Sequence, residues 1–190
     1  LTTEIFGLFA PARPDVALEM AHLPIQTTAR QNAEWISEFY VIMYSLASRV
    51  DPSLSMEEKV FWMAEQARNR LPDDSYSAAM YDFVKGEFDA GEAWNVARDN
   101  LNQRYQVDHE DGYDMSDVYC GGCFAAGINF GASLVSLFWG GGDIARTIQI
   151  GTLAGWDSDN PTATWGGMLG FMIGKDGVEE AFASHTTGTL

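Results

Sequence analysis

The feature that most constrains the fold is an uncharged apolar stretch that runs from Val118 to Gly142. It is longer than the ~20 residues that a membrane-spanning helix requires. Its flanks are Asp117 and Asp143 rather than the Lys or Arg residues that anchor such helices, and it contains Asn129 and several glycines. These features favour a helix buried in the core of an all-α protein over a membrane span.

The apolar residues elsewhere also recur with helical spacing. Between Trp35 and Leu46 they fall at i, i+3, i+4 and i+7, which predicts one stripe of a long helix. Ser55 and Glu58 form the Ser-x-x-Glu pattern of a capping box, which predicts a helix beginning there. No segment shows the alternation typical of a strand. The sequence therefore predicts a single all-α domain over residues 1–190.

Local signals bound the predicted helices of the last third. Asp143 is predicted to cap a helix over Ile144–Thr152. Asn160 is predicted as the N-cap of the final helix, with Pro161 at its first position and Gly174 at its end. Further helices are predicted around Met80–Val84, Trp94–Tyr105 and Phe124–Trp139.

The charge balance restricts the partners. The chain has 27 Asp and Glu against 11 Lys and Arg, a formal net charge of -16. Nucleic acids and anionic membranes are bound through Lys and Arg, so both are excluded as partners. The sequence as given has no signal-peptide pattern, which fits a soluble cytoplasmic protein and a processed secreted protein equally.

Two local motifs are interpreted as structural. Cys120 and Cys123 form a C-x-x-C that lacks the further cysteines or histidines of a zinc site and the βαβ context of a redox motif. They are interpreted as small residues at the mouth of the buried helix. The acidic loop 107–117 lacks an EF-hand register, because Gly112 at the sixth position leaves valine at the first and twelfth. It is interpreted as a solvated loop.

The strongest candidate for chemistry is the pair Asp157 and Asp159. No Lys or Arg follows until Lys175, so the two carboxylates have no local counter-charge. Carboxylates between apolar segments need a partner, and a hard divalent cation is the simplest one. A purely structural role at a helix start is the alternative. Glycosyltransferases and phosphatases also use a D-x-D, but after a strand of a parallel sheet, and no such strand is predicted here.

This region carries a family resemblance. The segment Gly155-Trp156-Asp157-Ser158-Asp159-Asn160, leading into a helix of small residues, resembles the C-terminal signature of the ADP-ribosylglycohydrolase family, which includes the J-crystallins. Weaker similarities extend the resemblance over most of the chain. They lie at Gly7, Pro11, Pro14, Ala17 and Ala21, in the predicted central helix Thr27–Ala47, and over Ile128–Ile150.

The resemblance implies a compact orthogonal helical domain that binds two Mg²⁺ ions and hydrolyses a glycosidic bond to ADP-ribose. It implies that Asp157, Asp159 and Asn160 are metal ligands, with Asn160 in place of the usual Thr or Ser. It assigns no catalytic residue. Residues expected to contact an ADP-ribosylated substrate or a related ADP-ribose glycoside are Gly155, Trp156, Ser158 and Asn32.

The resemblance is to the C-terminal part of a family member. The other half of the family's metal ligands, a Thr-Asp-Asp cluster, has no counterpart in this sequence. Asp73-Asp74 lies in the wrong order and is interpreted as an acid pair at a helix start. The chain is therefore expected to carry half of a binuclear site, completed by an N-terminal segment or a second polypeptide that covers an exposed hydrophobic face.

Two alternatives stay open. One is a catalytically inactive structural or binding relative, as the crystallin members suggest. Asn160 favours it, as does the stretch Thr27–Arg30, which lacks the histidine of the family's Ser/Thr-His pair. The other alternative is a hydrolase or transferase that uses the same metals on a different glycosidic substrate.

Overall fold

The computed structural model describes residues 3–183, and within that range it contains helices and no strands. This confirms the predicted all-α fold class. The α-helices of this described range are α1 (Ile5–Phe9), α2 (Pro14–Thr28), α3 (Asn32–Ala47), α4 (Met56–Arg68), α5 (Tyr76–Asp89), α6 (Trp94–Leu101), α7 (Ala126–Gly140), α8 (Ile144–Ala154) and α9 (Asp159–Ala181).

Helix α7 is the centre of the fold. Every residue from Gly127 to Gly140 is buried, and the helix contacts α3, α4, α5, α6, α8 and α9. The segment Tyr119–Gly140 meets the length and hydropathy criteria for a membrane span, but 72% of its most apolar window is buried inside the protein. The uncharged stretch is thus a core helix, as its acidic flanks and internal Asn129 predicted.

Aromatic side chains join α7 to the helices on either side. Phe39 and Tyr40 of α3 pack against Phe130 of α7, with ring centroids 5.1 and 6.0 Å apart. Tyr40 also lies 5.3 Å from the ring of Trp165 on α9. The indole Nε1 of Trp165 donates a hydrogen bond of 2.8 Å to the carbonyl of Ser133. These contacts fix the relative positions of α3, α7 and α9.

Small residues allow α7 and α8 to approach closely. A Cβ placed on Gly140 would lie 2.0 Å from the Oγ1 of Thr147, so no larger residue fits at this crossing. The Thr147 hydroxyl donates to the carbonyl of Asp143, and the Ser136 hydroxyl donates to the carbonyl of Thr147. The glycine-rich composition of the uncharged stretch therefore serves packing inside the protein.

The cap predictions hold for two helices. Ser55 Oγ accepts from the Glu58 N–H, and the Glu58 carboxylate accepts from the Ser55 N–H, so the capping box of α4 is present. The hydrogen bond to Ser55 lowers the pKa of the Glu58 carboxyl. Asp143 caps α8 by accepting from the N–H of Arg146.

Other boundaries differ from the predictions. Helix α5 is longer than predicted, and α6 continues into a π-helical segment, Asn102–Val107. Helix α9 begins at Asp159, not after Asn160, and Ser158 at its N-cap makes no side-chain capping bond. Gly174 does interrupt the helical backbone, with φ of 71°, but a further helical stretch follows it.

The interpretation of the C-x-x-C motif as two small residues does not include a bond between the cysteines. Cys120 and Cys123 are joined by a disulfide, and no free cysteine is left. They form a loop before α7 in which Gly122 and Cys120 both have positive φ. The bond ties this loop into a compact turn, and the next residue, Phe124, is 55% exposed.

Candidate functional site

The Asp157 segment forms one wall of a cleft of about 540 Å³. The end of α2, the first half of α3, the start of α7 and the residues before α9 surround it. Its polar lining consists of Thr3, Thr27, Thr28, Ser37, Tyr40, Asn129, Asp157 and Asn160. The fold thus brings residues from both ends of the chain to one concave surface.

Asp157 and Asp159 lie side by side at this wall. The neighbouring Asp159 carboxyl group, together with partial burial, raises the pKa of Asp157. Asp157 is half-buried in the cleft, whereas Asp159 is exposed. Within residues 3–183, no Lys, Arg or His forms an ion pair with either carboxylate. The pair therefore concentrates negative charge that no Lys, Arg or His side chain of the described residues neutralises.

The donor set at this point fits a hard divalent cation. Two carboxylates and the amide oxygen of Asn160 are oxygen ligands of the kind that Mg²⁺ prefers. Asn160 lies inside α9 and lines the cleft, and its backbone N–H donates to the carbonyl of Asp157 at 3.0 Å. The described residues contain no group of three or more His, Cys, Asp or Glu side chains arranged for a metal. At this wall the chain offers two carboxylates and one amide, fewer than the six ligands of an octahedral ion.

Asn129 positions the Asp157 backbone. Its side chain is 4% exposed, and its Oδ1 accepts a hydrogen bond of 3.0 Å from the N–H of Asp157. Its Nδ2 donates to the carbonyls of Cys123 and Ala125, at 3.0 and 2.9 Å. One buried amide therefore links the disulfide loop, the start of α7 and the aspartate segment. In the sequence, its only signal is a polar side chain inside an uncharged stretch.

Replacing Asn129 by leucine is expected to weaken divalent-cation binding by about 10- to 100-fold, the usual effect of losing a residue that orients a ligand. The N–H of Asp157 would lose its acceptor, and the segment before α9 would become mobile. The measurement is calorimetric titration with Mn²⁺. Ser136→Ala is the control, because it removes another buried hydrogen bond of α7 away from the cleft; equal losses in both variants would contradict the assignment.

Tyr40 forms part of the buried side of the cleft. The Ser133 hydroxyl donates to the carbonyl of Phe130 at 2.9 Å, so the hydrogen bond of 2.8 Å between Tyr40 and Ser133 has the tyrosine hydroxyl as donor. Burial raises the pKa of Tyr40. Tyr40 is therefore a neutral, fixed part of the cleft wall rather than a proton acceptor.

The other residues expected at the site are distributed unevenly. Gly155 is exposed with φ of 99°, and no atom lies within 4 Å of the position its Cβ would take. Trp156 has φ of 53° and packs partly against the main core. Ser158 accepts from the Thr162 hydroxyl through its backbone carbonyl. These three flank the carboxylates without lining the cleft, and their contact with substrate stays a prediction.

Asn32 lies apart from the aspartates. Its Oδ1 accepts from the N–H of Ser77 at 3.1 Å, which joins the start of α3 to α5. It lines a separate depression together with Trp35, Asp74 and Asp111. The structure does not bring it to the cleft, where Ala33 and Ser37 of the same helix lie instead.

Comparison with protein families finds one match over nearly the whole chain. A family model described as ADP-ribosylglycohydrolase matches residues 2–188. No curated protein and no solved structure matches the chain.

Proposed function

Because this chain belongs to the ADP-ribosylglycohydrolase family, we propose that its cleft binds ADP-ribose and takes part in the Mg²⁺-dependent hydrolysis of a glycosidic bond to it. Family membership supports a glycohydrolase function in general. The observation that carries the finer proposal is the Asp157–Asp159 pair. Asp157 lines the cleft, the Asp159 carboxyl group adjoins it, and neither forms an ion pair with a Lys, Arg or His of the described residues.

Asp157, Asp159 and the amide of Asn160 would hold the ion. When bound, a divalent ion supplies positive charge that neutralises the carboxylates and polarises oxygen atoms of substrate or water. Other residues of the chain hold the metal ligands and the cleft wall in place. Asn129 fixes the backbone of Asp157, and Tyr40 presents a rigid neutral wall to the sugar.

We further propose that this chain carries only part of the ligand set. Two carboxylates and one amide leave an octahedral ion half coordinated, and the family resemblance points to a Thr-Asp-Asp cluster on an N-terminal segment or a second polypeptide. Exposed apolar side chains on α1 and α2 support a contact of that kind. They are Ile5, Phe9, Met20 and Leu23, which are 45, 60, 43 and 75% exposed.

The first test is cation binding. Asp157→Asn and Asp159→Asn are each expected to lower the affinity for Mn²⁺ by more than ~100-fold, because each removes a charged ligand. Changing a residue that only hydrogen-bonds to a ligand has at most about that effect. Asp117→Asn is the matched control, since it removes one exposed negative charge from the acidic loop away from the cleft. Calorimetry measures all three. An affinity that depends equally on Asp117 would show general attraction to an acidic surface and refute the site.

The second test is release of ADP-ribose from an ADP-ribosylated protein, with and without Mg²⁺ and with an N-terminal family segment added. Mg²⁺-dependent release that Asp157→Asn abolishes supports the proposal. ADP-ribose binding without release would instead favour an inactive binding relative, which the Asn160 substitution favours. Hydrolysis of a different glycoside but not of ADP-ribose conjugates would indicate another substrate on the same scaffold.

A further inference from the structure

Two consecutive polar residues, Thr3 in the lining of the cleft and Glu4 next to it in the sequence, each have a buried side-chain oxygen without a hydrogen-bond partner in the described part of the chain. Thr3 is 9% exposed and lines the cleft, and its Oγ1 has no hydrogen-bond partner. The Oε2 of the neighbouring Glu4, which is half-buried, has none either. Neither residue belongs to the aspartate segment or to the motifs of the family resemblance.

The backbone holds these two residues firmly in place. The carbonyls of Thr3 and Glu4 accept from the N–H groups of Phe6 and Gly7, at 3.1 and 2.9 Å, and so begin α1. Helix α1 lies directly on α3, since a Cβ on Gly7 would meet the Val41 carbonyl at 2.5 Å. The Oγ1 of Thr3 and the Oε2 of Glu4 thus lack a hydrogen-bond partner on a backbone that is held by its own hydrogen bonds and by α3.

The charge of Glu4 acts on the same region. Its carboxylate contributes to the raised pKa of Tyr40, which lines the cleft, and of Tyr44. Burial also raises the pKa of Glu4 itself. The carboxyl group therefore lies within electrostatic range of Tyr40 in the cleft wall, in partly buried surroundings.

An unpaired buried hydroxyl or carboxylate is destabilising, and native proteins keep few such groups. A valine at position 3 would fill the same space without that penalty. Thr3 donates and accepts hydrogen bonds, whereas an ionised Glu4 only accepts. A pair of neighbouring hydroxyl groups on a sugar matches this set, because both can donate to the carboxylate while one accepts from the threonine.

We propose that Thr3 and Glu4 form a further binding position of the cleft, which holds the adjacent hydroxyl groups of a ribose ring. The identity of the sugar in this inference rests on the proposed function. The location of the binding position rests only on Thr3 and Glu4. It adds a contact from the start of the chain to a site otherwise formed by the residues before α9.

The test uses Thr3→Val and Glu4→Gln in the full chain, with ADP-ribose and free D-ribose as calorimetric probes. Each variant is expected to bind ADP-ribose at least about tenfold more weakly while its thermal midpoint stays equal or rises, because no satisfied hydrogen bond is lost. Thr147→Val is the matched control. Its hydroxyl is paired and fully buried away from the cleft, so its midpoint should fall and its affinity should not change.

The outcomes separate this position from the proposed function. Unchanged affinity in both variants overturns it, and so does a loss of affinity accompanied by the lowered midpoint of Thr147→Val. If the wild-type chain binds D-ribose in a Thr3-dependent way but not ADP-ribose, the position stands and the proposed substrate fails. If it binds neither sugar, the position is refuted, whatever the Mn²⁺ titration of Asp157 shows.

Discussion

Replacing Trp165 by alanine is expected to lower the free energy of unfolding by about 3–5 kcal/mol, the usual effect of deleting a large core aromatic. The side chain is fully buried, with its ring 5.3 Å from that of Tyr40. Its loss would leave a cavity between α3, α7 and α9, and the Ser133 carbonyl would lose its indole donor. Chemical denaturation monitored by far-ultraviolet circular dichroism measures the change.

Trp62 provides the control for this prediction. It lies on α4 and is 39% exposed, so Trp62→Ala removes a similar ring that already contacts water. Trp62→Ala should lower the free energy of unfolding by less than half as much as Trp165→Ala does. Trp165→Phe should lower the free energy of unfolding less than Trp165→Ala, because a six-membered aromatic ring is kept and only the five-membered ring with its N–H donor is lost. Equal effects of Trp62→Ala and Trp165→Ala would show that the α9 contact is not a main source of stability.

The second large effect is expected at the ion pair between Glu38 and Arg70. The Glu38 side chain is 6% exposed and receives two hydrogen bonds from the guanidinium, of 2.6 and 2.8 Å. Arg70→Ala would leave a buried carboxylate without its partner. We expect a loss of about 3 kcal/mol, at the low end for buried pairs because the Arg70 side chain is 48% exposed.

Two further variants distinguish the pair from a general charge effect. Arg13→Ala removes the exposed ion pair with Asp15 and should change stability far less than Arg70→Ala, because exposed pairs are screened by solvent. The double variant Glu38→Leu/Arg70→Met should recover most of the stability lost in Arg70→Ala, since no unpaired charge is left. A double variant as unstable as Arg70→Ala would show that packing of the arginine stem, rather than the charge, is responsible.

Local patterns account well for the helices whose ends carry their own hydrogen-bonding groups. Ser55 and Glu58 satisfy the first N–H groups of α4 within one turn of sequence, so the capping box could be identified without the fold. The same holds for Asp143 at α8. The start of α9 was misplaced because Asn160 is a good capping residue in isolation, yet it lies inside the helix with its side chain at the cleft.

The disulfide and the end of α6 depended on contacts beyond the local sequence. The spacing of Cys120 and Cys123 is the same in a bonded pair and in two free thiols. Whether the sulfur atoms meet depends on the conformation of the loop, which the local sequence does not give. The continuation of α6 as a π-helix accompanies the burial of Tyr105, whose hydroxyl donates to Asp111. Both features arise from how the loop before α7 folds against its neighbours.

The sequence by itself determined the all-α class, the buried central helix and the carboxylate pair at Asp157 and Asp159, because each depends on the order of residues within a few turns. The tertiary structure alone placed Asn129 at the backbone of Asp157, Thr3 in the lining of the same cleft, and Asn32 in a separate depression. The physical reason is that a cleft is formed by helices distant in sequence. Which side chains meet there depends on packing and on close helix approach, and neither leaves a local pattern.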